Sequence, residues 1–295
     1  PSTASRELRG TRLEYLELIG RGASSKVYLG RLWNAESVKN NSLCTGDDKL
    51  HAKEDRDFSL VAVKQIKLRG GGGSGRAREV ARVLRLEVNT LSKLSHRNIV
   101  AYKGLHFSKR RRTHEILMEY CDGGSLAKVV KRHPRGMSSE NLRPMVTQIV
   151  DGLQYLHEQR VIHRDLKPAN ILFDRRGVIK IADFDISSQV CSIATKKRTC
   201  VGTANYCAPE VIQGLPCSYP LDVWSLGCTL IELASGKPPF HDCNAVQALF
   251  RMVETDIEIP ETITGSLQEC ICECLQRDPK ARPSAPELRS SAFLI

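Results

Sequence analysis

The 295-residue chain has no apolar run approaching the length of a membrane-crossing helix, so no membrane span is expected. No signal-peptide pattern opens it. It begins PSTAS rather than with methionine, and a longer parent chain is expected. There are no internal repeats, which sets aside repeat architectures. The formal charge is +11, yet no helix-turn-helix, zinc-finger or RNA-binding motif accompanies it. A nucleic-acid-binding module, which would show strongly salt-dependent DNA binding, is therefore disfavoured. An enzyme handling a polyphosphate, with Lys/Arg-rich surface loops, comes out basic without such a partner. The eleven cysteines lack any framework spacing. That pattern fits reduced thiols inside a cell. A cytoplasmic location is expected, with nuclear entry left open by the run KRRR at 109–112. Cys270, Cys272 and Cys274 lack the Cys-x-x-Cys spacing of zinc sites. They sit in ECICECLQRD, an amphipathic helical pattern, and read as buried or half-buried helix cysteines.

What is present is enough apolar residue, 41%, to fill a real core, beside an ordinary 26% of charge. From Glu14 the pattern is strand-like: LEYLELIG, a glycine turn, then KVYLGRL. Residues 34–57 are polar and read as a loop or insertion between strands. SLVAVKQIKL is the next strand, and GGGGSG near 70–75 is a linker by composition. Val80, Val83, Leu84, Val88, Leu91 and Leu94 make a helical stripe. NIVAYKGLHF and THEILMEYC read as strands joined by KRRR. After Asp122 the character turns helical. Ser138 is the expected N-cap of a helix whose face carries Leu142, Val146, Ile149, Val150, Leu153 and Leu156. Pro144 inside it predicts a kink or a late start. PLDVWSLGCTLIELASG is apolar nearly all round and hence a buried helix. The reading is α+β, a small antiparallel-sheet lobe with one main helix and a larger, mostly helical lobe. Its expected boundaries are a lead-in at 1–13 and a domain at 14–295, divided as 14–118, a hinge at 119–122, and 123–295.

The chemistry concentrates in HRDLKPAN at 163–170, DFD at 183–185 and APE at 208–210. Phosphoryl transfer needs a carboxylate to position the attacking hydroxyl, and ligands for magnesium ions that neutralise phosphate charge. Asp165 suits the first role. Asn170 and Asp183 offer the hard oxygens that magnesium prefers. Lys167 places a positive charge beside the transferring group. Upstream, GRGASSKV at 20–27 is a glycine turn whose backbone can approach phosphates closely. VAVK ends a strand at Lys64.

In this order the pieces resemble the eukaryotic protein kinase family, from about Glu14 to the C-terminus. HRDLKPANIL, KIADF, VGTANYCAPEVI and DVWSLGCTLIEL are most similar to the Ste group, such as mitogen-activated protein kinase kinase kinases. Lys167 and Pro168 resemble the serine/threonine type. The resemblance implies ATP and Mg2+ as cofactors, held between lobes, and the serine or threonine hydroxyls of proteins, another kinase among them, as substrates in a signalling cascade. It implies Ile19, Gly20, Gly22 and Val27 around the nucleotide, Lys64 on the α- and β-phosphates with Glu87 as its ion-pair partner, and Glu119 and Cys121 on the adenine edge. Glu79 is the lesser rival to Glu87, and Met118 guards the back pocket. Asn170 and Asp183 would hold the metal. Arg164 would receive a phosphate on the activation segment, with Thr199 as the foremost phosphosite. Thr203 would bond the catalytic loop. Glu210 would pair with Arg282, and Asp222 would tie down the loop's backbone.

The chain departs from the family pattern twice. Ser25 stands for a third glycine, and Asp185 replaces the glycine of DFG. Aspartate tolerates left-handed backbone better than most residues, so an active-like state is one consequence. A perturbed metal site is the other. Retained catalysis is expected. The alternative is a pseudokinase acting as a nucleotide-binding scaffold.

Overall fold

The computed structural model describes residues 12–21, 25–33, 58–67, 88, 91–108, 113–183 and 204–295. They form two compact units. One holds the described residues up to 95 together with 100–120, and the other holds 96–99 with those from 121 onward.

The first unit is a five-stranded antiparallel sheet in the order β1-β2-β3-β5-β4. Its strands are β1 (Arg12–Arg21), β2 (Ser25–Trp33), β3 (Phe58–Lys67), β4 (Tyr102–Ser108) and β5 (Thr113–Glu119). Period-two alternation sends Val61, Val63, Leu117 and Leu32 to one face, where Leu13, Tyr15 and Tyr28 pack on them. Tyr15 meets Tyr28 edge-on at 5.4 Å. Strand pairing starts at Arg12, two residues before the apolar pattern does. Arg12 lies opposite Trp33, and its guanidinium sits 5.1 Å over the indole. That contact recruits a residue which hydrophobic alternation does not mark. Of the predicted helical stripe, Val88, Leu91 and Leu94 are buried. Val80, Val83 and Leu84 lie outside the described residues, as do the insertion, the glycine linker and KRRR.

The second unit opens with β6 (Gly124–Ser125), α1 (Leu126–Arg132) and α2 (Ser139–Glu158). A three-stranded sheet pairs β6 with β7 (Ile171–Phe173) and β7 with β8 (Ile179–Ile181). Then follow α3 (Pro209–Gln213), α4 (Pro220–Ser235), α5 (Ala245–Glu254), α6 (Gly265–Cys274) and α7 (Ala285–Arg289). All six residues predicted for the buried face of α2 are buried. Ser138 stands at its N-cap with extended backbone, but its side chain makes no capping bond. Pro144 does not delay the helix, which starts five residues earlier. The carbonyl that Pro144 leaves without a donor belongs to exposed Glu140 in the first turn, within reach of solvent.

Helix α4 is the axis of this unit, with 13 of its 16 residues buried. Trp224 and Cys228 pack with Ala208, Leu221 and Met252. Gly227 lets α6 approach, since a Cβ there would lie 2.9 Å from the Cys274 Cβ. Cys270 and Cys274 are buried and Cys272 is exposed, as an amphipathic helix requires. No group of three or more His, Cys, Asp or Glu that could hold a metal occurs among the described residues.

The loop after α1 crosses the end of α4, and Met137 N–H bonds the Leu233 carbonyl at 2.9 Å. Gly136 sits there at φ 79°. A Cβ on it would lie 1.9 Å from the Ala234 carbonyl oxygen. Gly177 has a similar φ of 76°, yet nothing lies within 4 Å of its Cβ position. Gly177→Ala should therefore cost only the backbone term, about 1–2 kcal/mol. Gly136→Ala should cost roughly 3 kcal/mol or more, because the crossing must also open. Chemical denaturation of both variants checks the difference, and equal midpoints would contradict it.

Candidate active site

The site in the second unit begins where α2 ends. Val161 N–H returns to the Leu156 carbonyl at 2.9 Å, with Arg160 left-handed at φ 59°. The chain then enters the 163–170 segment under the control of Asp222. This carboxylate is completely buried in the first turn of α4. It accepts from His163 N–H at 2.9 Å and Arg164 N–H at 2.8 Å. His157 Nε2 completes its shell at 2.9 Å. The His163 ring is also fully buried. Its Nδ1 accepts from Asp165 N–H at 3.3 Å, so Nε2 carries the proton and donates to the Ala182 carbonyl at 2.9 Å.

Asp165 thus projects from a loop tied at both ends. Lys167 Nζ lies 2.9 and 2.7 Å from its two carboxylate oxygens. Asn170, on the turn Pro168–Asn170, donates one amide hydrogen to the Asp165 carbonyl and the other to its carboxylate, each at 2.8 Å. With both hydrogens used, the Asn170 side-chain oxygen is the atom left to present. Ala182 N–H bonds the Asn170 carbonyl at 2.9 Å. Ile171 pairs with Ile181. Asp183 therefore emerges beside Asn170, in left-handed backbone at φ 58°. These bonds bring Asp165, Lys167 and Asn170 together, and Asp183 follows Ala182, whose N–H is bonded to Asn170.

Two further contacts brace the floor. Glu210 and Arg282 form a buried two-pronged pair at 2.7 and 2.8 Å. The Arg282 guanidinium also lies 5.0 Å over the Trp224 ring. The Tyr206 hydroxyl donates to Glu232. Burial pushes the Glu232 carboxyl above its ordinary range, and the Tyr206 hydroxyl pulls it partly back. Burial and then the Glu232 charge push the Tyr206 hydroxyl well above the usual tyrosine range, with the Asp165 charge adding to it.

In the first unit, register assembles another set. Gly20 pairs with Val27, Val27 with Lys64, and Lys64 with Ile116. Residues opposite one another share a face, so Gly20, Val27 and Lys64 form one cross-strand row. Ile19 is exposed on β1. Glu119 N–H bonds the Ala101 carbonyl at 2.8 Å, and its carboxylate accepts from Ala101 N–H at 3.1 Å. Cys121 is buried at the start of the second unit. Gly22, Glu79, Glu87, Asp185, Thr199 and Thr203 lie outside the described residues.

Sequence reasoning did not single out His157, Tyr206, Glu232 or Asn98. Asn98 Nδ2 donates to Gln148 at 3.2 Å and to the Ile179 carbonyl at 2.9 Å, which sets β8 and hence Asp183. For His157 the available signal was its place, six residues ahead of HRD at the end of an amphipathic helix.

The sequence profile described as protein kinase domain matches residues 49–294. The chain is 37% identical, over 95% of its length, to cytokinesis protein sepH of Aspergillus niger. It is 37% identical over 94% to MAP3K epsilon protein kinase 1 of Arabidopsis thaliana. It is 35% identical over 94% to mitogen-activated protein kinase kinase kinase 2 of the same plant. The chain spans 19%, 18% and 40% of those three proteins.

Asparagine at 222 has one acceptor oxygen and would turn its amide group toward at least one of the three donors. Asp222→Asn should lower the stability of the second unit by roughly 2–4 kcal/mol. It should also speed hydrogen exchange at the His163 and Arg164 amides. Unchanged exchange there would show that the carboxylate does not anchor the loop.

Proposed function

The chain belongs to the protein kinase family, in its serine/threonine branch, and we propose that it transfers the γ-phosphoryl group of Mg-ATP to serine or threonine hydroxyls of protein substrates. The observation that carries the reading is the Asp165–Lys167–Asn170 cluster, hydrogen-bonded at 2.7–2.9 Å on a loop fixed by a buried carboxylate. Asp165 accepts the hydroxyl proton as the oxygen attacks the γ-phosphorus, and the bond to the bridging oxygen breaks to release ADP. Lys167 offsets the charge on the transferring group.

The residues fit magnesium. Asn170 presents its side-chain oxygen, since both its amide hydrogens are held by Asp165. Asp183 adds a carboxylate from the adjacent strand end. Two protein oxygens with phosphate oxygens and water are what a magnesium site ordinarily uses. Bound there, the ion neutralises phosphate charge. In the first unit, the row Gly20, Val27 and Lys64 suits the nucleotide, with Ile19 and Gly22 beside it. Lys64 takes the α- and β-phosphates, with Glu87 as its partner, and Glu119 and Cys121 take the adenine edge. The domain is read as 14–295 with a connecting segment at 119–122. The profile match starts at 49, but β1 and β2 belong to the same sheet as β3.

Regulation by phosphorylation of the activation segment is part of the proposal. The Arg164 Nε is buried and has no hydrogen-bond partner among the described residues. A buried cationic donor left unpaired is costly, and an arriving phosphate would satisfy it. Thr199 is the candidate, and Thr203 is assigned to positioning the loop. The relatives' names as mitogen-activated protein kinase kinase kinases support a place in a kinase cascade, with another kinase among the substrates.

Incubating the chain with Mg-ATP and matched serine and threonine peptides tests the reading. Transfer should occur, stop on chelation, and fall about 10²–10⁴-fold in Asp165→Asn. A chain silent as it stands but active as Asp185→Gly would overturn it.

A further inference from the structure

Charge in the second unit is not evenly spread. Residues 204–295 hold twelve Asp and Glu against six Lys and Arg. Between Gly123 and Ser139 there is no acidic residue, and Lys128, Lys131, Arg132 and Arg135 fall within it. In α1 the apolar Leu126 and Val130 are buried. That turns Lys128, Lys131 and Arg132, spaced i, i+3 and i+4, onto the exposed face. Arg135 is exposed in the loop beyond. A Cβ on Gly236 would sit 2.3 Å from the Pro134 carbonyl oxygen, so exposed Lys237 adjoins the same loop. At the other end of α1, β6 pairs with β7, which brings exposed Arg176 alongside.

Three acids around this face are already engaged, while Glu140, in the first turn of α2, is exposed beyond the loop. Asp122 takes Arg175. Asp174 accepts from the backbone of Arg176 and Val178. Glu232 takes Tyr206. None of Lys128, Lys131, Arg132, Arg135, Arg176 and Lys237 forms an ion pair with a described residue. Complementing the C-terminal end of α1 accounts for Lys131 and Arg132 only, because the dipole acts within the last turn.

We propose that this basic face is a docking site for an acidic stretch of the protein substrate, an inference that rests on the kinase reading above. Helix α1 packs on the turn Pro168–Asn170. A segment held on its outer face is thereby tethered next to the element that carries Asn170, and tethering raises the local concentration of the hydroxyl to be modified. Charge complementarity selects acidic ligands. A polypeptide fits better than a nucleic acid, because residues 123–139 contain no Phe, Tyr or Trp on which bases would stack.

The test uses two peptides with the same serine- and threonine-bearing core. One ends in a Glu/Asp-rich tail and the other in a Gln/Asn-rich tail of equal length. With the natural chain the acidic tail should lower KM about tenfold and leave kcat unchanged. In Lys128→Glu/Lys131→Glu/Arg132→Glu that advantage should vanish, while the neutral-tailed peptide keeps its kcat and KM. Fluorescence anisotropy of the labelled acidic tail alone should show the same loss of binding in the variant. Equal KM values for the two peptides in the natural chain would overturn the proposal. So would an advantage that survives charge reversal, or an oligo-dT that binds more tightly than the tail and displaces it. Should neither peptide accept phosphate, the kinase reading fails by itself. The anisotropy then decides the docking face: tail binding lost on reversal upholds the acidic-ligand site, and no binding at all removes it.

Discussion

The carboxylate of Asp222 is fully buried in the second unit, and its needs dictate the geometry of the site. An ionised carboxylate buried in an apolar helix costs several kcal/mol unless its lone pairs are taken up by well-placed donors. Three donors take them, and two are backbone N–H groups of the 163–170 loop. A loop in another conformation would leave both the carboxylate and those amides unsatisfied. The loop therefore inherits its shape from the core beneath it. His163 passes the constraint outward, since one ring nitrogen holds Asp165 N–H and the other holds the Ala182 carbonyl. Asn170 extends it again, from Asp165 to the strand end that carries Asp183. The positions of the reactive groups follow from this chain of bonds, which starts at one buried charge.

Such an arrangement explains which features were legible in the sequence. The face of α2 is a period-3.6 signal over 20 residues, and the all-round apolarity of α4 runs for 16, too long for a strand. The chemistry proposed for 163–170 could be read from residue types alone, because carboxylate, amide and lysine are what phosphate and magnesium require. Register could not be. Strand β1 slips twice against β2, between Tyr15 and Leu18 and between Leu18 and Gly20. Alternation of side chains cannot show where an extra residue is absorbed, so the Gly20–Val27–Lys64 row emerges only from the pairing. The supporting polar residues were hidden for another reason. Asn98 and Gln148 are amides of a kind common on any surface, and the partner of His157 is 65 residues away. Ser138 shows the reverse case, a residue of the right type in the right place that makes no capping bond.

The backbone at the site completes the argument. Of four non-glycine residues with positive φ among those described, two are Arg164 and Asp183. Left-handed backbone costs a non-glycine residue about 1–2 kcal/mol, somewhat less for Asp. Neither strain would persist in a loop free to relax. Arg164 is held because its N–H feeds the Asp222 carboxylate. Asp183 is held because the residue before it is bonded through its N–H to Asn170 and through its carbonyl to His163. The strain thus falls on the two residues whose side chains would meet a phosphate and a magnesium ion, while the stabilising contacts lie beneath them. A loop organised this way is shaped by the core beneath it, so ligand binding there would not have to supply the free energy of ordering it.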